Sequence, residues 1–322
     1  MKVLGKYKNG NYNVTILSDG TKIRQTEEDC FIPEFAENID VKITSKCKIN
    51  CPFCYEGCYA GGKHAELMID KNTPAQKWIE TLHPYTELAI NGNDMNHPQL
   101  LDFLEYLKNK KVIANITVHH KQFMDNIDLL RHLRDNKYIH GLGVSLAQES
   151  VDSDFNYECF YDRLKEFPNA VIHTIAGITD IADYKHLLHY YPEAKILILG
   201  FKELKRGEKY SKVKNNQVFE MVKELQEFLP KLQKKATVLS FDNLALEQLN
   251  VRDVLFKGKN SEWEMFYMGD DGNHTFYIDA VSKTFSKNSC VTKEKRKNIE
   301  NLTSLEMFKI IRNENSSKTE CI

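Results

Sequence analysis

No run of apolar residues in this 322-residue chain approaches the ~18 that a membrane span needs. No leader is visible either, since Met1-Lys2-Val3-Leu4-Gly5-Lys6-Tyr7 is too polar for a secretory hydrophobic region. Net charge is almost absent: 44 Lys plus Arg stand against 45 Asp plus Glu, a formal −1. That balance argues against a nucleic-acid binder working by bulk charge and leaves only a local patch open. There is no repeat beyond a βα unit and no low-complexity linker. With 11% aromatics the chain is too rich in large rings for disorder. What remains is a folded, soluble, cytoplasmic protein with no membrane partner, of one large α/β domain or two.

What is present begins with cysteine. Of the eight, Cys47, Cys51, Cys54 and Cys58 crowd into one short stretch, while Cys30, Cys159, Cys290 and Cys321 are scattered. A disulfide framework would spread its cysteines along a short secreted chain. Crowded cysteines in a reduced compartment read instead as metal ligands or redox groups.

The rest of the chain reads as alternating elements. Asn9-Gly10 and Asp19-Gly20 punctuate short strands, so residues 1–37 form an N-terminal β-hairpin extension. Strand candidates then fall at 38–46, 86–91, 112–119, 140–146, 170–176 and 194–200. Between them lie stretches of helical period such as 98–107, 126–133 and 183–188. Six βα units in series imply a parallel sheet, and a closed eightfold barrel needs eight. The expected fold is α/β: a partial (β/α)6 TIM-like barrel over 38–235 and a C-terminal α+β region over 236–322 covering its mouth. Within these, 201–214 reads as a lysine-rich surface loop, 216–234 as a long helix, and 237–241 as a further strand. Residues 266–268 and 275–279 read as a hairpin around Gly269-Asp270-Asp271-Gly272, and 303–311 as a terminal helix.

Strand alternation adds a second clue. Ile39, Val41 and Ile43 oppose Asp40, Lys42 and Thr44. Ala114, Ile116 and Val118 oppose Asn115, Thr117 and His119, with Ile113 the apolar exception. Leu142, Val144 and Leu146 oppose Gly141, Gly143 and Ser145. An ordinary barrel interior is filled with branched apolar residues. This polar, small-residue face implies a roomy cavity for a hydrophilic ligand. His119 and His120 end one of these strands, and one of the two should face inward.

The sharpest signal is Cys47-Lys48-Ile49-Asn50-Cys51-Pro52-Phe53-Cys54, a C-x3-C-x2-C spacing just after the first core strand. Three thiolates on one loop can hold three irons of a [4Fe–4S] cluster, leaving the fourth open to a cofactor or substrate. Here the sequence resembles the radical S-adenosylmethionine (SAM) superfamily, over roughly residues 38–200. The resemblance implies metal ligands Cys47, Cys51 and Cys54, with SAM on the open iron. It implies reductive cleavage of SAM to a 5′-deoxyadenosyl radical that takes hydrogen from a peptide or small-molecule substrate, as an oxidoreductase or transferase. It also implies an electron donor such as flavodoxin or ferredoxin. Position by position, it places Phe53 near the adenine and the turn Asn91-Gly92-Asn93-Asp94 at the SAM amino group. It places Ser145 at the ribose or carboxylate, and Ile175 and Gly177 in the strand motif His173-Thr174-Ile175-Ala176-Gly177, where His173 stands in place of the family's first glycine. The stretch Cys54–Cys58 with Gly61-Gly62-Lys63-His64 also looks like a phage- and bacteria-encoded subset of unsettled substrate. Catalytic side chains are not assigned.

Two other readings stand beside this one. Nucleotide or RNA modification would draw on the basic residues Lys202, Lys205, Arg206, Lys209, Lys212 and Lys214. A non-catalytic zinc-binding interaction protein would use all four clustered cysteines as ligands. Cys58 reads as a spare thiol, His64 as a local structural residue, and Cys290 and Cys321 as too few for a second cluster.

Overall fold

The computed structural model describes residues 1–91, 95, 97–146, 155–267 and 269–316. Strands β1 (Val3–Asn9), β2 (Tyr12–Leu17) and β3 (Lys22–Gln25) form a three-stranded antiparallel sheet. The expected N-terminal hairpin is thus extended by one strand.

The chain then enters a ten-stranded sheet. Its first strand is β4 (Asn38–Lys42). A short hairpin, β5 (Met68–Asp70) and β6 (Thr73–Pro74), leads through α1 (Lys77–Glu80) to β7 (Glu87–Asn91). Next come α2 (Leu100–Asn109), β8 (Ile113–His119), α3 (His120–Asp125), α4 (Ile127–Asp135) and β9 (Gly141–Ser145). They are followed by α5 (Tyr157–Leu164), β10 (Ala170–Ile175), α6 (Ile181–Tyr190), β11 (Lys195–Leu199), α7 (Arg206–Lys235) and β12 (Val238–Phe241). After α8 (Asn243–Gln248), α9 (Val251–Leu255) and α10 (Asn260–Phe266) the chain returns as β13 (Thr275–Asp279), β14 (Thr284–Ser286) and β15 (Lys297–Asn298), and ends in α11 (Ser304–Ser316). The order across the sheet is β12-β11-β10-β9-β8-β7-β4-β13-β14-β15. From β12 to β13 every pairing is parallel, and β14 and β15 are antiparallel. The protein is therefore mixed α/β around a large parallel sheet, as helical crossovers require. Among the described residues no helix is long and apolar enough to cross a membrane.

All six expected core strands are present within their limits. Two expectations are corrected. Phe266 and Tyr267 do not pair with 275–279, and Met268 lies outside the described residues: Phe266 ends α10, and β13 adds to β4 in parallel as an eighth parallel strand. Phe276, Tyr277 and Ile278 are all buried, and a strand covered on both faces belongs inside a sheet rather than in a rim hairpin. The region 236–322 thus supplies β12 and β13, which join the core sheet rather than only covering it. The stretch 201–214 is not a surface loop beyond Leu204. α7 starts at Arg206, with Gly207, Tyr210 and Ser211 buried, because Tyr210 and Val218 pack on Phe53.

One face of the parallel strands packs on helices as the alternation implies. Val41, Ile116 and Val144 join one core with Phe103, Leu107, Leu130 and Leu133. On the other face Ile113 packs against Tyr12, Val14 and Ile16, so the apolar exception is where the N-terminal sheet seals one end. Residues of all eight parallel strands, from Phe241 on β12 to Tyr277 on β13, line one cavity of about 640 Å³. Laid flat at about 4.8 Å per strand, eight strands would span roughly 34 Å. Both flanks can touch one such cavity only if the sheet curls around it.

The space beside Gly143 is already taken. A Cβ there would lie 2.5 Å from His173 Cε1 and 2.8 Å from Thr117 Oγ1, so a large residue on β10 is matched by none on β9. Gly143→Ala should cost about 1–3 kcal/mol by overpacking. Adding His173→Ala should recover most of that in denaturant melts. Wild-type stability for Gly143→Ala alone would mean that His173 moves aside freely.

Candidate functional site

The segment carrying the clustered cysteines leaves β4 and is closed at its base by backbone bonds. Ala65 N–H donates to the Ile43 carbonyl (2.8 Å), Tyr59 N–H to Ser45 (3.1 Å) and Cys47 N–H to Tyr59 (2.9 Å). Inside, Cys54 N–H bonds the Cys51 carbonyl and Gly57 N–H the Cys54 carbonyl, two successive turns. Cys47, Cys51 and Cys54 are half-buried, and all three line the large cavity. Burial pushes the Cys51 thiol up to about 12, helped by Cys54 and Cys47 beside it. A hydrogen bond from the Cys58 thiol draws Cys54 down to about 6 against its burial, with Arg206 assisting. Cys58 is buried, 4.0 Å from the Thr44 carbonyl. Among the described residues no group of three His, Cys, Asp or Glu is spaced to hold a single metal ion.

The loop is pinned by a residue that the sequence reading missed. Glu56, 5% exposed, accepts from Lys42 Nζ at 2.6 Å and from the Tyr277 hydroxyl at 3.0 Å. Its carbonyl accepts from Lys205 Nζ at 2.8 Å. Asp279 continues the network, 3.7 Å from Lys42 and 3.3 Å from Arg296. Burial alone would pull the Lys42 ammonium down, but Glu56 and Asp279 reverse this and hold it well above the usual range. The available signal was Lys42 on the polar face of its strand, because a buried cation needs an anion from elsewhere. Arg206 also clamps the loop, donating from Nε to the Cys51 carbonyl at 2.9 Å.

Around the cavity, seven of the expected site residues meet: Cys47, Cys51, Cys54, Phe53, Asn91, Ser145 and Ile175. Phe53 is only 8% exposed and packs edge-on to Tyr210 with ring centroids 6.0 Å apart, so much of its surface serves the loop's own core. Gly177 is not in the lining. With φ +78 and Val218 Cγ1 2.7 Å from where a Cβ would stand, it serves a tight turn against α7 rather than a ligand contact. Gly92, Asn93 and Asp94 lie outside the described residues, as does Cys321.

His119, not His120, faces the cavity. Its Nδ1 accepts from the Lys121 N–H (3.2 Å), which puts the ring proton on Nε2, a buried atom with no partner. Burial, then His120 and Lys121, lower His119 to about 3, and burial lowers His173 to about 4. Both rings are neutral near pH 7. The far wall is charged. Lys202 Nζ sits 4.5 Å over the Tyr55 ring, 3.8 Å from Asp242 and 3.3 Å from Ser289 Oγ. Asp40 is raised by burial and opposed by Lys202. Asp270 and Asp271 also line the cavity, with Asp271 held by Asn243 (2.9 Å) and Asn288 (2.6 Å). His64 bonds Thr44 Oγ1 at 3.0 Å and stacks edge-on to His97, a local structural role.

No protein-family model and no curated protein matches this chain. Among solved structures, MGS-M4, an aldo-keto reductase enzyme from a Medee basin deep-sea metagenome library, aligns over 90% of this chain and 99% of its own. The identity is 6% and the TM-score 0.27, a level of likeness that carries no argument about fold or chemistry.

Two outcomes follow from these contacts. Glu56→Gln leaves Lys42 buried without its nearest counter-charge and should cost about 3 kcal/mol. Lys42→Met combined with Glu56→Gln should restore part of that in urea melts, and strict additivity would refute the coupling. The histidines set the acid limb. His119 near 3, His173 near 4 and His274 near 4 are all depressed from 6.5. Below pH 6.5 the unfolded chain binds protons that the folded chain refuses, so stability falls as pH drops from about 6.5 toward 4. The urea midpoint should decline over that window, and less steeply in His173→Gln. A flat midpoint would contradict it.

Proposed function

We propose that this chain is a radical SAM enzyme in which Cys47, Cys51 and Cys54 hold a [4Fe–4S] cluster. The observation that carries the reading is the convergence of these three thiols, in C-x3-C-x2-C spacing, on a cavity bounded by every parallel strand. The donor set suits a cubane: Cys51 lies within electrostatic reach of both other thiols, and a cubane places each thiolate on a different iron rather than around one ion. Bound there, the cluster and SAM would supply one-electron cleavage to a 5′-deoxyadenosyl radical able to take hydrogen from a C–H bond. On this reading β4 and β7–β11 are the strands of a partial (β/α)6 barrel, and β12 and β13 extend it at either side.

The chain's own residues then divide the work. Phe53 and Ile175 give the adenosine an apolar wall, while Asn91 and Ser145 offer it hydrogen bonds. Gly177 acts at one remove, letting the turn after β10 close on α7. Leu197, Leu199 and Phe201 keep that part of the cavity apolar and exclude water. The neutral His119 and His173 offer polar contacts without charge, and Asp270 and Asp271 meet a polar substrate, a peptide or small molecule, at the margin. A cytoplasmic flavodoxin- or ferredoxin-type donor completes the partners. Of the six basic residues behind the nucleic-acid reading, Lys202, Lys205 and Arg206 contact Asp242, Glu56 and the Cys51 carbonyl, while Lys209, Lys212 and Lys214 stay exposed.

Anaerobic reconstitution with iron and sulfide analysis tests this. Cys47→Ser, Cys51→Ser and Cys54→Ser should each lose the cluster. Cys58→Ser should keep it, together with dithionite-driven 5′-deoxyadenosine formation from SAM. Zinc in place of iron, or a Cys58→Ser protein as empty as Cys51→Ser, would overturn the reading.

A further inference from the structure

A second cavity, about 580 Å³, lies beneath the amino-terminal ends of β8 and β9, away from the cysteine loop. Its lining includes Lys108, Lys111, Arg134 and Lys137, and no carboxylate among the described residues. Tyr85, Tyr138 and Phe167 supply flat rings, with Lys108 Nζ 5.1 Å over Tyr138 and the Arg134 guanidinium 5.0 Å over Phe167. The volume is that of an ordinary small-molecule site.

The backbone shows that two of these lysines are held there against their own preference. Lys111 (φ 61) follows the C-cap of α2 and Lys137 (φ 55) follows the C-cap of α4. That position, one past the cap in the left-handed region, is where glycine is the ordinary occupant. Tyr85 (φ 68) is left-handed too, in the turn before β7. Three side chains in a conformation that disfavours side chains therefore converge on one cavity, a pattern that points to a use for them.

Charge tells the same story. Helix C-termini attract cations, and α2 and α4 both end here with about half a negative charge each. Arg134 is offset by Asp135 (2.7 Å) and Glu166 (3.6 Å), and Lys108 Nζ caps the Asn136 carbonyl at 2.9 Å. Among the described residues Lys111 and Lys137 make no ion pair and no side-chain hydrogen bond. The lining itself thus carries four cations and, among the described residues, no carboxylate, and of these cations Arg134 is the one paired to carboxylates outside it.

We propose that this cavity binds a small organic phosphate with a flat apolar body, the phosphate at Lys111 and Lys137 and the body between Tyr85 and Tyr138. The proposal does not rest on the chemistry assigned to the cysteine loop. The test is titration of the full-length protein with 1-naphthyl phosphate, with 1-naphthol and inorganic phosphate as separate arms. Saturable binding of the ester, tighter than either fragment and unaffected by SAM, is expected. Lys111→Gly with Lys137→Gly should weaken it about tenfold through loss of two charge-assisted contacts, while the melting temperature holds or rises as the strain is relieved. Lys111→Gln with Lys137→Gln keeps a polar side chain but removes the charge and should weaken it similarly. Displacement of the ester by SAM, equal affinity for phosphate alone, unchanged binding in both double variants, or no saturation would each overturn the proposal.

Discussion

Lys42 ends the first core strand with its side chain only 4% exposed, and that burial is tolerable only because Glu56 meets it at 2.6 Å. Such a pair adds little net stability over a well-packed apolar pair, since desolvating both charges costs several kcal/mol. Its value is positional. Glu56 stands two residues past Cys54, so holding its carboxylate between Lys42 on β4 and Tyr277 on β13 holds the thiol loop over the mouth of the sheet. Asp279 and Arg296 extend the lock to the C-terminal region, and Lys205 and Arg206 reach the loop backbone from the start of α7. Three distant parts of the chain thus fix one short loop.

The cavity depends on similar long-range closure. Arg24 on β3 grips Glu37 through Nε (2.8 Å) and Nη2 (2.9 Å) while itself lining the cavity, which makes the N-terminal sheet part of the floor. Ile113 seats that sheet on the parallel strands. On the far wall His173 fills what Gly143 leaves open, so the small residues of β9 are partners of large neighbours rather than free space. The cavity lining runs from Asn38 and Thr275, at the amino ends of β4 and β13, to Ser145, Asn91 and the thiols at the carboxyl ends.

The two ends of the sheet carry different chemistry for a common reason. Strand-to-helix turns end where the thiols, His119 and Ser145 stand, and helix-to-strand turns end where Lys111 and Lys137 stand. Each end collects side chains from successive turns, and a repeated βα unit brings together turns that lie far apart in sequence.

Local period determined a good deal of this protein. The alternation of Ile39, Val41 and Ile43 with Asp40 and Lys42 was enough to place both the strand and its faces, because a strand turns over at every residue. The C-x3-C-x2-C spacing brought three thiols to one loop by chain length alone. Tertiary structure decided the rest. Thr275–Asp279 looked like one arm of a hairpin, and only β4, more than two hundred residues earlier, makes it a parallel strand. The run 202–214 looked wholly solvated until Phe53 and the loop carbonyls gave Tyr210, Lys205 and Arg206 partners. Glu56 carried no local mark at all: Tyr277 lies 221 positions away, and a buried carboxylate is recognisable only once the fold has put its cations beside it.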